Sequence, residues 1–401
     1  MGFLDWLLKR PLTQDRFAAM IMNRIRASGD NRPVRYESEQ FRLYKGDDGI
    51  LFLGNIYQEY LAASNEDRER IIHGFLTMWH TTSVSLPDSF EDASLDLLPV
   101  LRARDYFEVG LRRAGAGEPV PPPPYETVAE HLGLAIAYDL PTSTRTLVDE
   151  DLEKWNTSFY EAMEVARQNL QEREFQYAQI GSLYALANGD SYDSTRMMLL
   201  DFIRGLSVEG DAIAMVPNRD RLYITGSADP DGLAAMLQLV EEDLQSPRFI
   251  SGMAYRLAGD EWQLWLPAED HSLYEQFRLH SVAMLARIYS DQTEILNNRM
   301  ELTGEGTFSA SFSCLKDELT GALRSYCMWA ENLEALLPET DEVFFVRPKD
   351  NEEGVDIVGR STWKNVIGYA GHLMEAQGIY PERWRVRAFP SQHILEQITA
   401  S

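Results

Sequence analysis

The stretch DAIAMVPNRDRLYITGSADPDGLAAMLQLVEEDLQ, residues 211–245, decides the fold. Ile213 and Met215, then Leu222 and Ile224, alternate with smaller or polar residues in the two-residue period of a half-buried strand. Pro217, Asn218 and Asp220 supply turn chemistry between the two runs, so the segment reads as a β-hairpin. Asp229 then stands as a helix cap, with Pro230 at the first helical position, where a missing N–H costs nothing. Leu233, Met236, Leu237 and Val240 follow at helical spacing, which predicts an amphipathic helix lying on the sheet.

The same hairpin-then-helix logic recurs outward from this stretch. Thr13 caps a helix with Phe17, Met20, Ile21 and Ile25 on one face, and Phe41, Leu43, Leu51 and Leu53 flank an Asp47-Asp48-Gly49 turn. A helical pair follows around Tyr60 and Trp79. Residues 97–107 predict a short strand and helix, and Gly115, Gly117 and prolines 121–124 then form a stiff connector. Leu134 to Tyr138 reads as a strand, and Asp149 caps one helix carrying Leu152, Trp155, Phe159, Met163, Ala166 and Leu170. Ala178 to Ala187 reads as a single strand, with Ser191 or Asp193 opening the next helix. Residues 249–266 close as a hairpin with Gly259 and Asp260 at its turn, and a long helix starts near His271. Two more hairpins and a helix opened by Ser361 or Thr362 follow, and RWRVRAF is the last strand. The expected fold is therefore α/β of the α+β type: repeated β-hairpin plus helix units, in mixed or antiparallel sheets covered by helices. Two domains are expected, residues 1–268, divided into two lobes near 115–125, and residues 269–401.

Sixty-three acidic against 37 basic side chains leave a net charge of −26, which opposes contact with phosphate backbones and anionic membrane surfaces. No nucleic-acid partner is expected. The N-terminal MGFLDWLLKRP is too short in apolar residues for a signal or a membrane span, and Trp6 stands where a myristoylation signal wants Ser or Thr. Two cysteines, Cys314 and Cys327, argue against a disulfide framework and fit a reducing, cytoplasmic compartment. A two- or four-residue loop centred on Thr320 and Gly321 would set the two thiols face to face across a hairpin, whereas an odd loop would offset them.

Chemical motifs are sparse. GSADPDG at 226–232 has glycines ahead of a helix but no lysine, and its Asp229 and Asp231 repel an anion, so it is no phosphate cradle. GLSVE at 205–209 lacks the second glycine of a nucleophile elbow. His73 and His80 lie seven apart on one helix, too far for a metal pair, and no C-x-x-C or H-E-x-x-H occurs, so neither metal nor cofactor is expected. Pro122 to Tyr125 spells a Pro-Pro-x-Tyr ligand, against which stands the plainer reading as a rigid loop.

Three blocks in fixed order, LAIAYDLPTSTRTLVDEDLEKWNTSFYEAMEVARQNL, ANGDSYDSTRMM and IAMVPNRDRLYITGSADPDGL, resemble the YtpQ-like family of bacterial proteins, a domain of unknown function. The likeness covers residues 97–244, more weakly what precedes them, and leaves the C-terminal part as an extension. It implies a bacterial cytoplasmic α/β protein and carries over no catalytic residue. The blocks point to one polar cluster: Asp190, Tyr192, Asp193 and Arg196 at a helix start, and Asn218, Arg219 and Asp220 at the hairpin tip. Were the two turns on one sheet edge, an arginine could clamp a carboxylate or phosphate while an aspartate orients it. The plainer reading makes Asp193 a cap, Asn218 a turn residue and Arg196 half of a local ion pair. The expected function is a non-catalytic protein-binding or adaptor module; the alternative is a hydrolase or transferase using the cluster at 190–196 and 218–220.

Overall fold

The computed structural model describes residues 12–30, 32–38, 41–46, 49–81, 86–110, 122–140, 143–244, 246, 248–303, 307–316, 321–349 and 354–400. The N-terminal 11 residues, Asp47, Asp48, Gly115, Gly117, Pro121, Gly304, Gly306 and Thr320 lie outside them. The fold is α+β, its sheets mostly antiparallel.

The hairpin at the heart of the sequence forms as read. Ala212–Met215 and Leu222–Gly226 pair antiparallel, with Ala214 opposite Ile224. They are the central strands of a six-stranded sheet ordered Glu261–Trp265, Ala254–Ala258, Ala212–Met215, Leu222–Gly226, Leu183–Leu186, Ala178–Ile180. That position explains one departure: every residue of both strands is buried, where the alternation predicted a solvated face. Asp229 caps the following helix, Pro230–Asp243: its Oδ1 accepts from the Gly232 N–H at 2.9 Å, and its Oδ2 from the Thr225 hydroxyl at 2.9 Å. Gly232 is required there, because a Cβ would lie 2.1 Å from both Asp229 Oδ2 and Thr225 Oγ1. Leu233, Met236, Leu237 and Val240 are buried.

The chain divides into two compact units, each assembled from separate segments. One holds residues 1–100, 135–175 and 241–249; the other holds 101–134, 176–240 and 250–401. This is not the expected break after residue 268, because burial of apolar faces, not chain order, makes the units. Glu261–Trp265 lies against Tyr125–Ala129, and the long helix Tyr274–Thr303 against Tyr106–Gly110, all in the second unit.

In the first unit, Thr13 caps helix Gln14–Ala27, and Phe17, Ile21 and Ile25 pack with Leu43, Leu53, Ile72, Phe75 and Trp79. Val34–Glu37, which the sequence reading passed over, adds a third strand to the Arg42–Lys45 and Gly49–Phe52 hairpin. His80 bonds Ser28 and His73 is exposed. The single helix expected over 149–170 is two, Asp149–Lys154 and Phe159–Glu172. Asn156 turns to φ 53°, and Ser158 with Glu161 forms a reciprocal capping box that starts the second helix. Asp151, not Asp149, bonds the Val148 N–H that precedes the first.

In the second unit the expected strand at 178–187 is a hairpin, broken at Gly181 with φ 62°. The C-terminal part builds two four-stranded mixed sheets. One runs Ser313–Lys316, Leu323–Ala330, Glu342–Pro348, Val355–Thr362, and the other Phe308–Ser309, Ala335–Pro338, Arg383–Val386, Met374–Ala376. Thr362 caps helix Trp363–Ala370, and Gln392–Ala400 is a final helix the periodicity did not reveal. Between them lies a core of Trp329, Leu337, Val343, Phe345, Val366, Val386, Leu395 and Ile398.

Candidate functional site

The cluster expected from the sequence is brought together, but it is closed. The turn at 190–193 meets the hairpin tip through the Ser194 N–H, which donates to the Arg219 carbonyl at 3.2 Å. Arg196 is fully buried. Its Nη1 lies 3.0 Å from Asp190 Oδ1 and from Asp193 Oδ1, and its Nη2 2.5 Å from Asp190 Oδ2. Asp193 stands at the N-cap position of the short 3-10 helix Ser194–Met198 but makes no capping bond there; its carboxylate instead also accepts from Asn188 Nδ2 at 2.7 Å and from the Gly189 N–H at 2.9 Å. Tyr192 is buried, Asn218 Oδ1 accepts the Asp220 N–H at 2.9 Å, and Arg219 Nε lies 3.7 Å from Asp220. The guanidinium that was to clamp a ligand is thus held by its own carboxylates. These side-chain bonds stay within each turn, and the Ser194–Arg219 backbone bond joins the two.

The two thiols do not face each other. Cys314 is opposite Ser325, and Cys327 is opposite Val343 on the next strand. Lys316 pairs with Leu323, so the hairpin closes through six residues with its centre one position earlier than the Thr320-Gly321 reading required. Cys314 is exposed and Cys327 buried, and burial pushes the Cys327 thiol up to about 12. Titration of the native protein with a disulfide reagent is therefore expected to modify one thiol, at Cys314, with the second reacting only in denaturant. Two native equivalents would contradict this placement.

Pro122 to Tyr125 is likewise committed to the fold. The Tyr125 ring stacks on Phe107 with centroids 4.4 Å apart and its hydroxyl donates to Glu108, so the tyrosine of the Pro-Pro-x-Tyr motif is not displayed.

A cleft of about 430 Å³ lies in the second unit, lined by the end of the Tyr125–Ala129 strand, Leu264, the long helix at Leu285 and Tyr289, Glu339 and the loop 378–382. Its floor is His131 and Tyr380, both buried, with His131 Nδ1 2.8 Å from the Tyr380 hydroxyl. Burial, aided by the Arg104 guanidinium, pushes His131 down to about 4, so the imidazole is neutral at pH 7. Burial likewise raises the Tyr380 and Tyr289 phenols. Arg104 lies over the Tyr380 ring, 4.4 Å from its centroid.

The loop is held from behind. Glu382 Oε1 accepts from the N–H groups of Gln377, Gly378 and Arg383 at 2.9, 3.0 and 3.0 Å. Tyr289 donates its hydroxyl to the Glu382 carbonyl at 3.0 Å, and Gln292 Nε2 donates to the Pro381 carbonyl at 2.7 Å. Arg383 is fully buried with neutral partners: Gln292 Oε1 at 2.8 Å, the carbonyls of Ala310, Leu336 and Tyr289 at 2.6, 3.1 and 3.3 Å, and Thr293 Oγ1 at 2.7 Å.

Sequence reasoning did not find this cleft. Its residues come from six stretches between Arg104 and Glu382, and His131 looked like one of seven dispersed histidines. Among the described residues no group of three or more His, Cys, Asp or Glu is placed to hold a metal ion, and no helix is long and apolar enough to cross a membrane. Comparison of the chain with protein-family models, curated proteins and solved structures finds no match.

Proposed function

We propose that this chain is a non-catalytic protein-binding module of the bacterial cytoplasm, akin to the YtpQ-like proteins it resembles, and that the cleft over His131 and Tyr380 receives a segment of its partner. The observation that carries the reading is the state of the groups in that cleft. A general base works best with a pKa near the operating pH, and the cleft imidazole, at about 4, is far below it. The two phenols are held protonated, and the Glu382 carboxylate is engaged by three backbone N–H groups. Locked side chains around a preformed hollow suit recognition, where rigidity lowers the cost of association. The rival reading, a hydrolase or transferase using the cluster at 190–196 and 218–220, loses support because its Arg196 is already bonded to Asp190 and Asp193.

Leu264 forms part of the wall and is 36% exposed, so a larger side chain there fills the hollow without entering the core. Leu264→Arg is expected to leave the circular dichroism spectrum unchanged and to reduce cross-linking to the partner at least tenfold relative to the wild-type chain. Equal cross-linking by both chains would overturn the assignment.

A further inference from the structure

We infer that the segment taken by this cleft presents a lysine or arginine side chain, its charge directed to Glu130 and Glu339 and its methylene stem laid along Leu264 and Leu285. This deepens the binding reading above and rests on it. Three glutamates line the cleft, Glu130, Glu339 and Glu382. Glu382 is consumed by the loop it caps, which leaves two carboxylates for a ligand.

Both are exposed at the rim, and among the described residues neither has a lysine or arginine partner. Glu339 Oε1 accepts only the Trp384 indole N–H, at 2.8 Å, and Glu130 Oε1 lies 3.8 Å from His131 Nε2. That imidazole is 5% exposed on its side chain and lines the cleft, and among the described residues its Nε2 has no hydrogen bond. It supplies a polar atom at the cleft wall, available to a backbone group of an entering chain. Leu264 and Leu285 provide the apolar wall along which a long cationic side chain lays its stem while its head stays at the rim.

Arg104 is the lining residue that argues for the opposite charge, and geometry weighs against it. Arg104 is spread over the Tyr380 ring, with Nη2 3.9 Å from Glu108. The net charge of −26 adds a field that draws cations and repels anions.

The probe is the capped tripeptide acetyl-Ala-Lys-Ala-amide, titrated at millimolar concentration into the isotopically labelled full chain, with its norleucine and glutamate counterparts as controls. The Lys peptide should shift the Gly378 amide and Trp384 indole resonances, the norleucine peptide should bind at least tenfold more weakly, and the glutamate peptide should not bind. The double variant Glu130→Gln, Glu339→Gln, followed at Gly378, should lose at least tenfold in affinity for the Lys peptide. Equal shifts by the three peptides, no shift with the Lys peptide, or undiminished binding by the double variant would each overturn the inference. If partner cross-linking is lost in Leu264→Arg yet persists in the double variant, the binding module stands and only its charge preference falls.

Discussion

Arg383→Met is expected to destabilise the second unit by about 4 kcal/mol, seen as a lower urea midpoint with an unchanged slope. The reason is the acceptor set the guanidinium leaves behind. Of its five partners, the Leu336 carbonyl keeps the Ala310 N–H at 3.0 Å and the Tyr289 carbonyl keeps the Thr293 hydroxyl at 2.7 Å. The Ala310 carbonyl and Gln292 Oε1 lose the donors that Arg383 brought them, inside a region closed to water. Each unsatisfied buried acceptor costs roughly 1–3 kcal/mol, and the shorter side chain adds a void.

Burial brings the Arg383 guanidinium down only to about 10, so it is charged at pH 7 in the folded and unfolded states alike, and the loss should be flat across neutral pH. Arg383→Lys, with one nitrogen for three, should recover less than half of it. Arg387→Met, on a side chain 56% exposed, should cost under about 0.5 kcal/mol. Because the Arg383 N–H also bonds the Glu382 carboxylate, loosening this strand should raise hydrogen exchange across residues 377–382. A loss below about 1 kcal/mol for Arg383→Met would show that these five bonds do not hold the cleft wall.

Arg383 also shows where sequence reasoning stops. RWRVRAF reads correctly as a strand, yet a buried arginine and an exposed one look alike in it, since the difference lies in carbonyls supplied from Tyr289, Ala310 and Leu336. What was legible is local: the Asp229 cap, the Pro230 helix start, the Gly259 turn and the Thr13 cap each state their own chemistry in a few adjacent residues. The Ser158-x-x-Glu161 capping box was equally local and should have split the 149–170 helix, but a continuous apolar stripe across Trp155 and Phe159 masked it. The hidden part is what depends on distant segments. Whether a strand is buried on one face or two, whether Cys314 meets Cys327, and which histidine sits beneath a cleft are set by partners 10 to 249 positions away.

The second large effect is a pH dependence. His131 titrates near 4 when folded and near its ordinary 6.5 when unfolded, so between those values the unfolded chain binds the extra proton. Stability from this group is therefore fully present above about pH 6.5 and is lost as pH falls towards about 4, by roughly 3 kcal/mol over the whole window. Other groups act differently. Burial raises Asp105, which favours its protonated folded form and so offsets part of the loss on acidification. Asp30 is held low by the Arg32 side chain, and its contribution fades only below the usual aspartate range. His131→Asn keeps a hydrogen-bonding group for the Tyr380 hydroxyl and cannot titrate, so it should remove the His131 part alone. Urea unfolding at pH 7.0, 6.0, 5.0 and about 4.5 should show the wild-type chain losing about 2 kcal/mol more than the variant across that range. Superimposable pH profiles would mean that the imidazole protonates freely near neutrality. The cleft would then hold a base poised for proton transfer, and the case for recognition without chemistry would have to be given up.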